Sequence, residues 1–334
     1  MKFTTLQKAC LALIIANIIW GAASAVFTLA LENIPPFTLA FLRFLIGAAV
    51  LLPLAWKQLN LKFQSRRDFL LLLGMTFSGI TVNIIFFFFG IKLTYAMNGP
   101  VIASAAPVVT LLVAMLFLKE KFRWKRLLGM ILGSLGILVI VFEPLAERGV
   151  DGSVLGNFYL ILAMLGAVGG TITGRKLVQK YPSSSITFWS FVIGTASFLP
   201  LAISENLKNP QIFRLLDWRG YTGIIFGGFL SSAAGYGLFN WGLAKIQASD
   251  SVMFNYIDPI AGTILAVLLL QEPITKPFVL GTALIFVGIF IAEGRLHYHP
   301  IYLLKKAKPK TVTTVKEPLN EVRADVALRR IFKH

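Results

Sequence analysis

The sequence predicts an all-α polytopic membrane protein with ten transmembrane helices in two inverted five-helix repeats. Of its 334 residues, 56% are hydrophobic and 14% are charged, whereas an ordinary soluble domain has roughly a quarter charged residues. Apolar stretches of about 20 residues, the length that lets a helix cross a bilayer, recur at short intervals. Strands of a membrane barrel are about half that length and alternate in polarity. A third observation is a repeat within the sequence at an offset of 152 residues, described below.

The apolar stretches place the predicted spans one after another with short connections. No soluble domain interrupts them, so lipid is the predicted solvent for most of the chain. The predicted spans are residues 9–31, 36–56, 69–91, 96–118, 125–143, 155–174, 185–204, 219–243, 250–271 and 277–293.

The formal net charge of +17 is distributed as in membrane proteins. With the N-terminus placed inside, the inner gaps carry thirteen Lys and Arg and the outer gaps carry six. The positive-inside rule then predicts a cytoplasmic (inner) membrane protein with both termini in the cytoplasm. This distribution argues against nucleic acid as a partner and leaves membrane lipid and a small-molecule substrate as the expected partners.

Residue usage argues against several kinds of site. One cysteine, Cys10, cannot build a disulfide framework, and the histidines all lie in the tail from residue 297 onward. The body of the chain therefore lacks the residues for histidine catalysis or a zinc site, and no metal or cofactor is predicted.

The repeat keeps its register over some fifty residues. It predicts a first repeat at 1–150 and a second at 151–294, followed by a basic tail at 295–334. Because five is an odd number of spans, the second copy has the opposite orientation, which is typical of secondary transporters with a midplane substrate site. The matched pairs include Phe87 and Phe239, Gly90 and Gly242, Pro107 and Pro259, Glu120 and Glu272, Gly129 and Gly281, and Gly136 and Gly288.

The matched prolines, the matched glutamates and the last two pairs of glycines, together with Trp20-Gly21, Pro35-Pro36 and Arg43, give the chain a resemblance to the EamA-like family of the drug/metabolite transporter superfamily. The resemblance covers about residues 9–293, and it departs where Val168-Gly169 stands in place of a second Trp-Gly pair. It implies ten spans in two inverted halves around a cavity. The family includes exporters of amino acids and other metabolites, so the resemblance implies a transporter without naming its substrate.

Two charges predicted to lie inside the bilayer are functional candidates, because burying them is costly. We expect Arg43 and Asp258 to pair or to face one cavity, with Arg43 attracting a substrate carboxylate and Asp258 exchanging a coupling proton. Two structural alternatives stand beside this hypothesis. Arg43 can extend to the outer interface, and Asp258 can cap the helix that begins at Pro259.

Other candidates have positional or structural roles. Pro107 and Pro259 are the predicted helix breaks near the binding region. Glu120 and Glu272 are expected to cap the next helix or to pair with basic loop residues, and Gly129 and Gly281 are structural positions of the repeat. The further candidates for the cavity lining are Asn17, Trp20, Asn83, Ser104, Tyr236, Asn240, Trp241, Asn255 and Tyr256.

The sequence therefore predicts a secondary transporter of small polar metabolites, an exporter of amino acids or related compounds that works by alternating access. Uptake or exchange of sugars, nucleobases or phosphorylated metabolites is the alternative within transport. An intramembrane enzyme or a scaffold is the alternative outside it. A single Asp at depth without histidine argues against the enzyme.

Overall fold

The computed structural model describes residues 4–56, 63, 65–106, 109, 124–148, 152–245, 254–255 and 257–293. Within these ranges the chain is helical, and no strand occurs in them. Four predictions lie outside the described residues: Pro107, Glu120, Tyr256 and the tail at 295–334.

Six helices in the described ranges are long and apolar enough to cross a membrane. Four are single α-helices. Two contain a π-helix in their middle, and we call these the Arg66–Leu93 span and the Trp218–Leu243 span. The single helices are α1 (Thr5–Leu31), α2 (Pro36–Ala55), α7 (Gly152–Lys180) and α8 (Ser183–Lys208). The Arg66–Leu93 span consists of α3 (Arg66–Thr76), a π-helix (Phe77–Val82) and α4 (Asn83–Leu93). The Trp218–Leu243 span consists of α9 (Trp218–Ile225), a π-helix (Phe226–Tyr236) and α10 (Gly237–Leu243).

The remaining helices are shorter or less uniformly apolar. They coincide with the other predicted spans, although only the beginning of the predicted span at 96–118 is described. They are α5 (Asn98–Ala103), α6 (Trp124–Arg148), α11 (Ile257–Leu270) and α12 (Lys276–Glu293), with a short 3₁₀ turn at Ile212–Arg214.

Local sequence explains where several helices begin. Thr4 and Gln7 form a capping box at the start of α1, so two backbone N–H groups find side-chain acceptors. Ser65 and Asp217 cap the two π-containing spans through their side-chain oxygens. Pro36 occupies the first position of α2, where its fixed φ and missing N–H cost nothing.

The helices pack in pairs around α1. We name the two ends of the bundle after the ends of this helix, the Thr5 end and the Leu31 end. Helix α2 packs along α8, α4 packs along α7, and α6 packs along α12, while α1 contacts α11 and the Trp218–Leu243 span. The largest buried cluster holds Phe27, Phe44, Phe88, Phe191 and Phe198 between α1, α2, α4 and α8.

Structural features recur at the 152-residue offset. The N-caps Ser65 and Asp217 are that far apart. Residues 229–234, which correspond to the first π-helix, lie within the second one.

Helices α6 and α12 cross antiparallel at two matched glycine contacts. A methyl group placed on Gly136 would lie 2.5 Å from the carbonyl oxygen of Gly281. One placed on Gly288 would lie 2.5 Å from that of Gly129. The backbones touch at both points, and only glycine allows this approach. The structure thus places Gly129 and Gly281, predicted as structural positions, in one helix crossing.

Candidate functional site

A cavity of about 200 Å³ lies in the middle of the bundle. Helices α1, α2, α5, α7 and α8, both π-containing spans and residues 255 and 258 contribute to its wall. Phe27, Phe87, Phe191 and Phe239 make much of the wall apolar. Seven of the sequence-predicted site residues line it: Trp20, Arg43, Asn83, Tyr236, Asn240, Asn255 and Asp258.

The two π-helices meet at this cavity. Gly79 and Ile80 come from the first, and Ser231 and Tyr236 from the second. The Tyr236 hydroxyl donates to the Gly79 carbonyl oxygen over 3.5 Å, which joins the two segments. A π-turn inserts an extra residue into the helix and is frequent at functional sites.

Arg43 is buried, with 2% of its surface exposed. Its Nε donates to Ser232 Oγ over 3.1 Å and its Nη2 donates to Ser231 Oγ over 2.9 Å. The guanidinium carbon lies 4.7 Å from the ring centroid of Phe27 and 4.9 Å from that of Phe44. Such cation–π contacts contribute on the order of 0.5–2 kcal/mol each. The guanidinium is therefore held inside the bundle and does not extend to an interface.

No carboxylate of the described residues lies within ion-pairing distance of Arg43. Two of its nitrogens bind serine hydroxyls, while Nη1 donates to no described side chain or carbonyl. The cavity therefore contains a positive charge with spare donor capacity and no protein counter-ion among the residues described.

Asp258 lies on another wall of the same cavity, in the first turn of α11. A methyl group placed on Gly21 would lie 2.5 Å from the Asp258 carbonyl oxygen, so α1 and α11 are in backbone contact here. The Asp258 side chain is buried, and its Oδ1 accepts no hydrogen bond from any described residue. This atom therefore does not cap α11. Arg43 and Asp258 face one cavity and are not an ion pair.

Three other polar lining residues have defined partners. Asn83 Nδ2 donates to the Ala163 carbonyl oxygen over 2.8 Å, and Asn240 Nδ2 donates to Thr187 Oγ1 over 2.8 Å. Trp20 Nε1 donates to the Ser231 carbonyl oxygen over 3.1 Å, and its ring contacts Tyr236 edge-on. These bonds connect neighbouring helices and fix the shape of the wall.

Three residues predicted to line the cavity lie elsewhere. Asn17 is fully buried in α1 and donates through Nδ2 to the Leu13 carbonyl oxygen over 2.7 Å. Ser104 donates to the Val101 carbonyl oxygen over 2.6 Å, just after α5. Trp241 packs on the cluster around Phe239 and Leu243. The sequence pattern alone could not distinguish these positions from ones that face the cavity.

Glu272 caps a helix, but not the one that follows it. Its carboxylate accepts from the backbone N–H of Ala96 over 2.6 Å and of Met97 over 3.0 Å, immediately before α5. Gln271, with φ of 54°, turns the chain so that this contact forms. Burial raises the pKa of Glu272, and the two N–H groups offset part of that rise. The contact ties the chain after α11 to the start of α5 at the Leu31 end.

Sequence reasoning did not identify Glu205 as a second carboxylate of this kind. It accepts from the N–H of Phe37 over 3.1 Å, and from the N–H and hydroxyl of Thr38 over 2.7 and 2.8 Å. Because Pro35 offers no side-chain cap, the first N–H groups of α2 need an external acceptor. These uncapped N–H groups of α2 were therefore the sequence feature that could have predicted a carboxylate such as Glu205 nearby.

The chain matches the model of the EamA-like transporter family over residues 7–142 and 154–293. It is 25% identical over 305 residues to the uncharacterized transporter YetK of Bacillus subtilis (strain 168), covering 90% of this chain and 88% of that protein. It is 25% identical over 286 residues to a "probable amino-acid metabolite efflux pump" of Escherichia coli (strain K12), covering 82% and 91%.

A solved crystal structure has the same fold, with a TM-score of 0.61 at 18% sequence identity. The match covers 85% of this chain and 95% of the other. Together with the six apolar spanning helices, the family model identifies a multi-pass membrane protein. The chain belongs to the EamA-like transporter family.

Proposed function

We propose that this protein is a secondary transporter that exports small polar metabolites, amino acids or related compounds, by alternating access. The observation that carries the proposal is the central cavity, where a buried guanidinium with a free donor lies among aromatic rings. A carboxylate is the complementary ligand, since charge-assisted hydrogen bonds to guanidinium are strong and directional. The name of the Escherichia coli relative supports the amino-acid class.

Alternating access requires two exchangeable states, and an inverted repeat of ten spans is the arrangement that we propose provides them. The support is the recurrence at 152 residues of N-caps, π-helices and glycine contacts. The proposal places the protein in the cytoplasmic membrane with both termini inside, because the gaps facing the cytoplasm then carry most of the loop Lys and Arg.

Within this proposal Arg43 binds the substrate carboxylate and Asp258 couples transport to a cation gradient, with the proton as the first candidate. The two groups lie on different walls of one cavity, so a small zwitterion can contact both. An Asp whose carboxylate has no protein partner can change its protonation without breaking a protein hydrogen bond.

The test is uptake of a labelled amino-acid mixture into proteoliposomes, with and without an imposed pH gradient. Wild type and Asp258→Asn are compared with Arg219→Gln, which removes a charge at the Leu31 end and leaves the cavity unchanged. We expect gradient-driven flux in wild type and Arg219→Gln and none in Asp258→Asn. Equal flux in all three, with or without the gradient, would remove the coupling role. If sugars, nucleobases or phosphorylated metabolites are transported and amino acids are not, the proposed substrate class is wrong.

A further inference from the structure

Three side-chain oxygens near the crossing of α1 and α11 have no hydrogen-bond donor. They are Oδ1 of Asn17, of Asn255 and of Asp258, each shielded from solvent and unpartnered among the described residues. Leaving such acceptors unsatisfied costs about 1–3 kcal/mol each. Unsatisfied acceptors near one helix crossing call for a shared donor or a cation.

The helix register brings these groups together. Gly21 contacts Asp258 and Ala261 directly. Asn17 precedes Gly21 by one helical turn, about 6 Å along the axis. Phe254 belongs to the same buried cluster as Leu13 and Ala16, while Asp258 contacts Gly21, so Phe254 and Asp258 follow α1 in its own direction. Asn255, three residues before Asp258, therefore lies level with Asn17.

A proton alone does not account for this group. A protonated Asp258 has one O–H donor and can satisfy one amide oxygen, which leaves the other unpaired. Asn17 cannot solve the problem by flipping its amide, because its Nδ2 is already bonded to the Leu13 carbonyl oxygen.

We propose that a sodium ion binds between Asn17, Asn255 and Asp258. Oxygen ligands suit a hard cation, and the first turn of α11 offers a carboxylate beside two amide oxygens. One carboxylate with two neutral amides neutralises a single positive charge. A divalent ion would leave an excess charge buried in the bundle.

The site belongs to the wall of the substrate cavity, since Asn255 and Asp258 line that cavity. Its role as a coupling site rests on the transport function proposed above, but ion binding is measured without transport. The positive end of the α11 dipole lies in the same turn and weakens cation binding. We therefore expect millimolar affinity.

The first experiment is thermal unfolding of the purified full chain in NaCl, in KCl and in choline chloride at constant ionic strength. We expect a saturable rise of Tm with NaCl at millimolar concentration, a smaller rise with KCl and none with choline. Asn17→Leu removes one oxygen ligand, and Asn255→Ser replaces the amide oxygen by a hydroxyl on a shorter side chain that is held back from the ion. Each should therefore weaken the sodium effect about tenfold. Asn83→Ser is the matched control, since it changes a cavity amide bonded to Ala163 and should keep the full effect.

Binding of radiolabelled sodium to the same samples gives the second measurement. If Asn17→Leu does not fold, Asn255→Ser alone tests the site. Identical Tm curves in NaCl and choline chloride would overturn the proposal and leave a buried water as the partner of the three oxygens. An undiminished sodium effect in the folded variants would place the ion elsewhere and also overturn it. Sodium binding without amino-acid flux would reject only the proposed substrate, whereas proton-driven flux without sodium binding would reject only this inference.

Discussion

The two charged groups of the cavity have contrasting surroundings. Arg43 donates to two serine hydroxyls and lies beside three phenylalanine rings, so the protein orients its guanidinium while Nη1 keeps its donors available. Asp258 is about as well buried, and its Oδ1 has no donor among the described residues. A buried charge without a partner is costly. In the proposed mechanism, this difference makes Arg43 a preorganised ligand-binding group, whereas Asp258 needs a bound ligand or a proton as its partner.

The largest effect is expected from Arg43→Ala. Losing the guanidinium removes the only described cation that lines the cavity. We expect kcat/KM for carboxylate substrates to fall about a hundredfold, as when one partner of a buried charge pair is truncated. Arg43→Lys should restore little, because an ammonium lacks the planar set of donors that reaches both serines. Flux into proteoliposomes is measured for both variants. Wild-type flux in either variant would contradict the role of Arg43 as the ligand-binding group.

Asp258→Asn is expected to stabilise the protein while it removes coupling. Replacing an unpartnered carboxyl group by a neutral amide lowers the cost of burial. In sodium-free buffer at pH 8 we expect Tm to rise by about 2–4 °C. Differential scanning fluorimetry measures the change, with Arg219→Gln as the control for charge removal. A lower Tm would mean that Asp258 has a stabilising protein partner.

The serines that hold Arg43 should have an intermediate effect. Ser231→Ala and Ser232→Ala each remove one acceptor, worth about 1 kcal/mol. We expect KM to rise about fivefold in each variant with little change in kcat, because the guanidinium remains but is less well oriented. Ser197→Ala, which removes a hydroxyl bonded to Thr81, is the matched control. Unchanged KM in both serine variants would mean that the aromatic rings alone position Arg43.

The smallest effect is expected at Glu272, away from both charged walls. Burial raises its pKa above the ordinary value of 4.5. A carboxyl group whose pKa rises on folding contributes stability that is complete below pH 4.5 and is lost as pH increases through the raised value. We expect Tm to decline by no more than about 2 °C across this window, since the group is partly solvated. Glu272→Gln should flatten this decline of Tm with pH. An equal slope of Tm against pH in wild type and variant would rule out Glu272 as the cause of the decline.

The sequence could single out candidates for the polar lining because polar residues are rare in apolar spans. Trp20, Asn83, Asn240 and Asn255 line the cavity as expected. Asn17 satisfied the same criterion but lies outside the lining, because span boundaries that are uncertain by several residues do not determine which helix face a residue occupies.

Two features could not be obtained from sequence patterns. Ser231 and Ser232 bind Arg43 across 188 and 189 positions of the chain, and adjacent serines carry no signal of such a partner. The π-helices leave no trace in the hydrophobic pattern, because one extra residue in a turn does not change the apolar composition of a span. Both features arise from tertiary contacts at the cavity.

The glycine crossing of α6 and α12 bears on how the protein is made. Gly129 and Gly136 contact the backbone of α12, which a ribosome synthesises some 150 residues later. Until then the exposed backbone of α6 faces lipid or a membrane chaperone. Maturation of the bundle therefore has to wait for its last helix, and a chain truncated before Lys276 would leave a persistent gap that quality-control proteases can recognise.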